Sequence, residues 1–202
     1  MRTGILGGTF DPIHVAHLHS AECALHQLGL DRVLLIPAGD PWQKADREIS
    51  AAHHRLEMCR LAVAGVPGLE VDDREVTRDG PTFTIDTLDS FPADEELYLI
   101  VGTDSAAGLD SWHRWNAIAE RATISIAPRS GIHSPEFPDA IHIDMGMLEI
   151  SGTDIRARVR DGRPFRYLVT GEVHAYIVAN DLYANHPEDD MVGQRMDMET
   201  TS

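Results

Sequence analysis

Short apolar runs alternate with longer segments of helical periodicity along most of this chain. Residues 3–7, 32–37 and 97–101 are apolar at successive positions, as expected for strands that are covered on both faces of a sheet. Segments with an apolar helical face separate these runs, for example residues 17–28 and 50–64. Strands that alternate with helices imply crossover connections. We therefore predict a single Rossmann-like α/β domain, with a mainly parallel sheet and helices on both of its faces.

The rest of the chain continues this pattern as far as residue 183. The sequence predicts further strands at residues 69–71, 123–127 and 141–144, and further helices at residues 84–91, 115–121, 153–160 and 172–181. Residues 184–202 are polar, acidic and without periodicity, which is typical of a disordered tail. We expect one domain over residues 1–183 and an acidic tail over residues 184–202.

The charge balance limits the partners of the chain. A formal net charge of −16 argues against a nucleic-acid backbone or an anionic membrane as partner. Neither an apolar run of the roughly 18 residues that a span requires nor a signal peptide is evident, and two cysteines do not indicate a disulfide framework. A cytoplasmic protein is expected, and a homo-oligomer is compatible with these features. Because Lys44 is the only lysine, a phosphate site in this acidic chain must gather its few cations at one place.

The most informative motif is Gly-Gly-Thr-Phe-Asp-Pro-Ile-His-Val-Ala-His, which begins at Gly7 and ends at His17. Consecutive glycines let the backbone approach a ligand closely, and the start of the following helix favours an anion. His14 and His17 are three residues apart, so their imidazoles can face the same side and donate to phosphate oxygens. The motif favours phosphate binding. A tight turn with two incidental histidines is one alternative, and a zinc site that includes His19 is another.

Two further groups of polar residues follow predicted strands. Lys44 can reach a phosphate as a flexible point charge, although a solvated surface lysine would look the same. Arg55 suits a phosphate or an ion pair within its own helix equally well. Asp104, two residues after Gly102, can accept hydrogen bonds from ribose hydroxyls, or it can cap a helix at residues 105–109.

Hydroxyl and aromatic groups mark a second kind of site. Thr82 and Phe83 stand at the entry of a predicted helix, where a hydroxyl and a backbone N–H suit a carboxylate, although the segment also fits a simple capped helix. Trp112, next to His113, offers a flat face to a heteroaromatic ring, and core packing is the alternative for this tryptophan. We assign Trp115 to the core.

The segment from Ile150 to Arg156 is the last candidate. Ser151 and Thr153 can cap the helix that follows and can bind an anion. Arginine is unfavourable in the first turn of a helix, so Arg156 indicates an anionic partner. A capped amphipathic helix is the alternative, and Arg129 is a weaker further candidate.

These motifs together resemble those of the bacterial nicotinate-nucleotide adenylyltransferases, within the nucleotidyltransferase superfamily. The resemblance rests on the glycine–histidine motif, residues 80–88, Gly102-x-Asp104, Trp112 and residues 150–156, and it extends over about residues 3–183. The chain departs from the family pattern at three positions: Ala16 replaces a glycine, Phe83 a tyrosine and Gly152 a serine.

The resemblance implies two binding sites and their substrates. The implied ATP-binding residues are Gly7, Gly8, Thr9, Phe10, His14, His17, Gly102, Asp104, Ile150, Ser151, Thr153 and Arg156. The implied residues for the acceptor, nicotinate mononucleotide, are Lys44, Thr82, Phe83, Trp112 and His113, with the pyridine ring stacked on Trp112. Catalysis would depend on His17, His14, Lys44 and Arg156. Mg²⁺ would arrive bound to ATP, and the protein itself would hold no metal.

The implied reaction is transfer of the adenylyl group of ATP to the acceptor in NAD biosynthesis. It needs no protein nucleophile, because a phosphate oxygen of the acceptor attacks the α-phosphorus and pyrophosphate leaves. The alternatives are another member of the superfamily, such as a pantetheine-phosphate adenylyltransferase or a cytidylyltransferase, and a non-catalytic nucleotide-binding module. A fragment of a class I aminoacyl-tRNA synthetase would be longer and less acidic.

Overall fold

The computed structural model describes residues 1–39, 49–78, 80, 82–128, 137 and 139–184, and these form an open parallel sheet covered by helices. The strands are β1 (Arg2–Gly8), β2 (Arg32–Pro37), β3 (Leu69–Val71), β4 (Glu96–Gly102), β5 (Ala122–Ala127) and β6 (Ile141–His142). Their order is β3-β2-β1-β4-β5-β6, and every neighbouring pair is parallel. The Rossmann-like fold predicted from the sequence is confirmed. The strand order reverses between β1 and β4, so a ligand crevice is expected beyond their carboxyl ends.

The helices agree with the predicted pattern to within a few residues at their ends. They are α1 (Val15–Gln27), α2 (Ala52–Val63), α3 (Thr84–Asp89), α4 (Thr103–Ala106), α5 (Trp115–Arg121), α6 (Gly152–Arg160) and α7 (Gly171–Ala179). The helix predicted at residues 105–109 is wrong, because α4 ends at Ala106 and a separate 3₁₀ turn covers Leu109–Ser111. Gly102 is the N-cap of α4, so Asp104 lies inside the first turn and does not cap it. No helix in the described part of the chain has the length and apolar character that crossing a membrane requires.

The sheet is buried on both faces, which is why its strands are apolar at successive positions. In β2, Leu35 packs in the cluster that contains Met58 of α2 and Ile177 of α7. Its neighbour Leu34 points to the other face and packs in the cluster that contains Leu88 of α3. The sheet is therefore the middle layer of three, and its carboxyl edge is left to bind ligands.

Candidate active site

Two adjoining clefts lie at the carboxyl ends of β1 and β4, where the strand order reverses. The larger cleft has a volume of about 410 Å³ and the smaller cleft about 240 Å³. Both are lined by Gly7 and Gly8 at the end of β1, by Thr9, which follows them, and by Trp112. We call residues 7–10 the glycine loop, and the two clefts meet over it.

The candidate residues from the sequence lie in these two clefts, and Gly7, Gly8, Thr9 and Trp112 line both of them. The larger cleft is lined by all twelve residues assigned to ATP: Gly7, Gly8, Thr9, Phe10, His14, His17, Gly102, Asp104, Ile150, Ser151, Thr153 and Arg156. The smaller cleft is lined by four of the five assigned to the acceptor: Thr82, Phe83, Trp112 and His113. Lys44 and Arg129 lie outside the described residues.

The glycine loop leaves space for a ligand on one side and packs tightly on the other. A Cβ added to Gly7 would meet no atom within 4 Å, whereas one added to Gly8 would lie 3.0 Å from the ring of Phe10. Phe10 has a φ of +49°, in the left-handed region that side chains rarely adopt. Its ring is only 2% exposed, so burial in the core offsets the local backbone cost and fixes the loop.

The two histidines of the motif form one unit at the start of α1. Their rings are stacked, with centroids 3.7 Å apart and planes inclined by 20°, which confirms that they face the same side. The backbone N–H of His14, the N-cap residue, donates to Nδ1 of His17 at 3.3 Å. Because Nδ1 of His17 accepts, the proton of its neutral ring lies on Nε2, which can donate to an oxyanion.

The zinc alternative is not supported. His19 lies beside Cys23, with Sγ 3.8 Å from its Nδ1. Within the described ranges, no group of three or more His, Cys, Asp and Glu side chains could hold a metal ion.

Arg156 enters the larger cleft from the middle of α6, just beyond its first turn. Its Nη1 donates to the main-chain carbonyl of Asp11 at 2.6 Å, and its Nη2 donates to Oγ1 of Thr153 at 3.3 Å. The N-cap of α6 is Ser151, as predicted, and its Oγ accepts from the N–H of Asp154 at 3.1 Å. This arrangement fixes a cation beside the glycine loop.

Arg55 stabilises the same loop through hydrogen bonds to main-chain oxygens and not through an ion pair within its own helix. Its guanidinium donates to three main-chain carbonyls, those of Thr9, Gly39 and Ser50, each at 2.9 Å. The side chain is 1% exposed, and this burial lowers the pKa of Arg55 while the nearby Asp11 carboxylate opposes the shift. The interpretation of Arg55 as part of an intrahelical ion pair is wrong, because tertiary packing gives it three oxygen partners outside α2.

The smaller cleft has an aromatic side and a polar side. The ring of Phe83 lies against that of His113, with centroids 4.5 Å apart. On the polar side, Oε1 of Glu75 accepts the hydroxyl of Thr87 at 2.6 Å. Burial raises the pKa of Glu75, and the hydrogen bond from Thr87, the charge of Arg78, the hydrogen bond from Thr82 and the charge of Arg74 partly oppose this shift.

Sequence reasoning did not select three residues that shape these clefts: Asp11 and Glu75, which line them, and Tyr183, which bonds to Asp11. Asp11 lies within the glycine–histidine motif, but a carboxylate has a less obvious affinity for phosphate than imidazole or a glycine backbone. Glu75 and Tyr183 carry no local signal at all. Their importance depends on partners that are distant in the sequence.

One cleft carries imidazole, guanidinium and glycine groups that suit phosphates, and the next carries an aromatic platform; a nucleotidyltransferase, which holds two nucleotides side by side, needs both. The cytidylyltransferase-like family matches residues 5–158. The chain is 38% identical to a protein of Dehalococcoides mccartyi, over 91% of this chain and 97% of that protein, and 43% identical to one of Salinibacter ruber, over 91% and 98%. Both relatives are named probable nicotinate-nucleotide adenylyltransferase.

Solved structures agree with the fold. The nicotinic acid mononucleotide adenylyltransferase of Plasmodium falciparum, complexed with NaAD, has a TM-score of 0.77 at 19% identity, covering 90% of this chain and 97% of that one. The same enzyme complexed with APC gives a TM-score of 0.76. The chain belongs to the nicotinate-nucleotide adenylyltransferase family, within the cytidylyltransferase-like proteins. Membership of this family suggests that the reaction uses a divalent metal ion.

Proposed function

We propose that the chain transfers the adenylyl group of ATP to nicotinate mononucleotide, which gives nicotinate adenine dinucleotide and pyrophosphate in NAD biosynthesis. The observation that carries this proposal is the meeting of the two clefts over Gly7, Gly8 and Thr9. ATP in the larger cleft and the acceptor in the smaller one would bring their phosphates together above this loop. Relatives with this named activity, at 38–43% identity over nine-tenths of the chain, support the choice of acceptor.

The chemistry is a displacement at phosphorus in which the chain supplies positions and charge. An oxygen of the acceptor's phosphate forms a bond to the α-phosphorus of ATP, and the bond from that phosphorus to the bridging oxygen breaks. The electron pair of the broken bond leaves with pyrophosphate, so no group is added to the protein. Correct placement of the two reactants removes much of the entropic cost of the reaction.

Three side chains of the larger cleft would stabilise the charge that develops. Nε2–H of His17 donates to a phosphate oxygen, and the stacked ring of His14 holds His17 in place. Arg156 holds the leaving pyrophosphate together with the backbone of the glycine loop. Lys44 is assigned to the attacking phosphate.

Mg²⁺ fits this site as part of the substrate. Since Mg²⁺ keeps water and phosphate ligands and needs few protein ones, the described cleft does not need a carboxylate cage. Bound to ATP, the ion neutralises phosphate charge.

A pyrophosphate-release assay with three separate acceptors tests the proposal. Release that is fastest with nicotinate mononucleotide, slower with nicotinamide mononucleotide and absent with phosphopantetheine is expected. Fast release with phosphopantetheine would assign the chain to a different reaction of the superfamily. Binding of ATP without release for any acceptor would indicate a non-catalytic nucleotide-binding module.

A further inference from the structure

Tyr183, beyond the end of α7, reaches the loop that follows β1. Its hydroxyl donates to Oδ1 of Asp11 at 2.7 Å. The carboxylate of Asp11 is buried, and its Oδ2 also accepts the N–H of Ser50 at 3.4 Å. One buried carboxylate therefore joins the loop that follows β1 to a residue 172 positions away in the sequence.

The same aspartate fixes the cation of the larger cleft. Nη1 of Arg156 donates to the main-chain carbonyl of Asp11 at 2.6 Å and lies 3.8 Å from its Oδ2. A guanidinium carries five N–H donors in a rigid fork, so an arginine that is fixed by two of them can still present others to an anion. The direction in which Arg156 presents its donors thus depends on where Asp11 is held.

We propose that Tyr183 is a positioning residue for ATP, which acts by holding Asp11 and, through Asp11, the guanidinium of Arg156. This inference rests on the proposed function, because it names a determinant of the same nucleotide site. Tyr183 does not line either cleft described above. Its effect on ATP is therefore indirect.

Two features of Tyr183 suit it to this role. Its φ of +66° lies in the left-handed region, a conformation that persists only when the surroundings hold the residue firmly. Burial and the neighbouring carboxylate of Asp11 raise the pKa of the Tyr183 hydroxyl, so the group stays protonated and keeps donating at neutral and alkaline pH.

The test replaces Tyr183 by phenylalanine in the full chain and measures the kinetics for each substrate separately. In Tyr183→Phe, kcat/KM for ATP should fall about tenfold, equivalent to about 1.4 kcal/mol, whereas KM for nicotinate mononucleotide should change less than about twofold. Tyr176→Phe is the matched control. It also removes a tyrosine hydrogen bond from the C-terminal region, to Nδ1 of His54 at 2.9 Å, but this bond joins α7 to α2. Tyr176→Phe should leave both kcat/KM for ATP and KM for nicotinate mononucleotide unchanged.

A double-mutant cycle separates positioning from a general loss of stability. If Tyr183 acts through Arg156, then adding Tyr183→Phe to Arg156→Lys should cause little further loss for ATP. Asp11→Ala, which removes the acceptor of the Tyr183 hydroxyl, should also lower kcat/KM for ATP and spare the acceptor. It serves as the second variant if Tyr183→Phe proves too unstable to assay.

The outcomes distinguish this inference from the proposed function. A wild-type chain that makes no dinucleotide from nicotinate mononucleotide contradicts the function itself. An active wild type together with an unchanged kcat/KM for ATP in Tyr183→Phe overturns the inference alone. The inference would also be overturned if Tyr183→Phe lowered kcat/KM equally for both substrates. The same holds if its effect on kcat/KM for ATP were fully additive with that of Arg156→Lys.

Discussion

The imidazole of His17 is held between two ring contacts and one hydrogen bond. It stacks on His14 at 3.7 Å, meets the edge of Phe10 at 5.0 Å, and accepts the backbone N–H of His14 at Nδ1. These contacts leave the orientation of the ring little freedom. A preorganised donor of this kind stabilises developing charge without a cost of reorganisation during the reaction.

His17→Ala should therefore lower kcat by about 10²–10³-fold, as found when one preorganised oxyanion donor is removed. The fold should remain, because the side chain lies at the cleft and is only half-buried. Steady-state rates of pyrophosphate release and the melting temperature without ligand check both parts. His19→Ala, on the same helix, is the control and should retain full activity. Normal turnover in His17→Ala would remove this histidine from the mechanism.

Gly152 allows α6 to approach the loop that follows β1 closely. A Cβ at this position would lie 2.7 Å from the carbonyl oxygen of Asp11 and 3.3 Å from Nη1 of Arg156. The first of these atoms is main chain and cannot move without the loop. The absence of a side chain at Gly152 thus leaves room for the hydrogen bond between Arg156 and the main-chain carbonyl of Asp11.

Gly152→Ser introduces the serine that is usual in the family pattern. In this chain it should destabilise the fold and impair ATP binding. We expect a loss of about 1–3 kcal/mol in the free energy of unfolding, the usual cost of overpacking, and a higher KM for ATP. Urea unfolding and ATP kinetics measure the two effects. Gly171→Ser is the matched control at the first residue of α7, where a Cβ would meet nothing within 4 Å. Wild-type stability in Gly152→Ser would mean that α6 shifts without cost.

The local features of this site could be predicted from the sequence, and its long-range contacts could not. The histidine pair and the N-cap at Ser151 are set within a few residues of chain, so spacing and residue type were sufficient. The contacts between Arg55 and Thr9 and between Tyr183 and Asp11 join residues 46 and 172 positions apart. Nothing in the segment around Arg55 distinguishes a buried brace from a surface cation, because the carbonyls it binds become its neighbours only in the folded sheet.

The error at residues 105–109 has a similar origin. Aspartate and serine are favoured at N-caps, so local preference predicts a cap at Asp104. In the structure, β4 leads directly into α4 with Gly102 at the cap. The tertiary position of the strand end overrides the local preference.

Glu75 should control how well the smaller cleft accepts a carboxylate on the pyridine ring. Its pKa is raised above the ordinary value of 4.5, chiefly by burial, so its charge develops as the pH rises through a window above 4.5. Ionised Glu75 repels the ring carboxylate of nicotinate mononucleotide but not the amide of nicotinamide mononucleotide. The ratio of kcat/KM for the acid to that for the amide should therefore fall as the pH rises through this window.

Glu75→Gln keeps an acceptor for Thr87 and removes the charge. The ratio should become independent of pH across that window and, at pH values above it, should favour the acid by about fivefold more than in the wild type, or about 1 kcal/mol for two charges in a partly solvated cleft. A raised pKa in the folded state also means that ionisation disfavours folding, so the wild type should lose stability relative to Glu75→Gln as the pH rises.

Glu70→Gln is the control for the loss of a carboxylate, because Glu70 is exposed on β3 and pairs with Arg32 at 3.3 Å. It should leave the acid-to-amide ratio unchanged. The same pH dependence in wild type and Glu75→Gln would show that another group governs acceptor choice.

Trp112 stands where the two clefts meet, immediately after the 3₁₀ turn at Leu109–Ser111. In Trp112→Leu, KM for nicotinate mononucleotide should rise about tenfold, since stacking of a base on an aromatic ring contributes about 1–3 kcal/mol. Trp112→Phe should recover most of this loss because it keeps a flat face. Initial rates with each substrate varied in turn measure the effect, and KM for ATP should change much less.

Trp115→Phe is the control for the loss of a tryptophan. Trp115 packs against Phe137 with centroids 5.5 Å apart and lines neither cleft, so its replacement should leave acceptor binding intact. An unchanged KM for the acceptor in Trp112→Leu would place the pyridine ring elsewhere, and a loss confined to ATP would assign the tryptophan to the larger cleft.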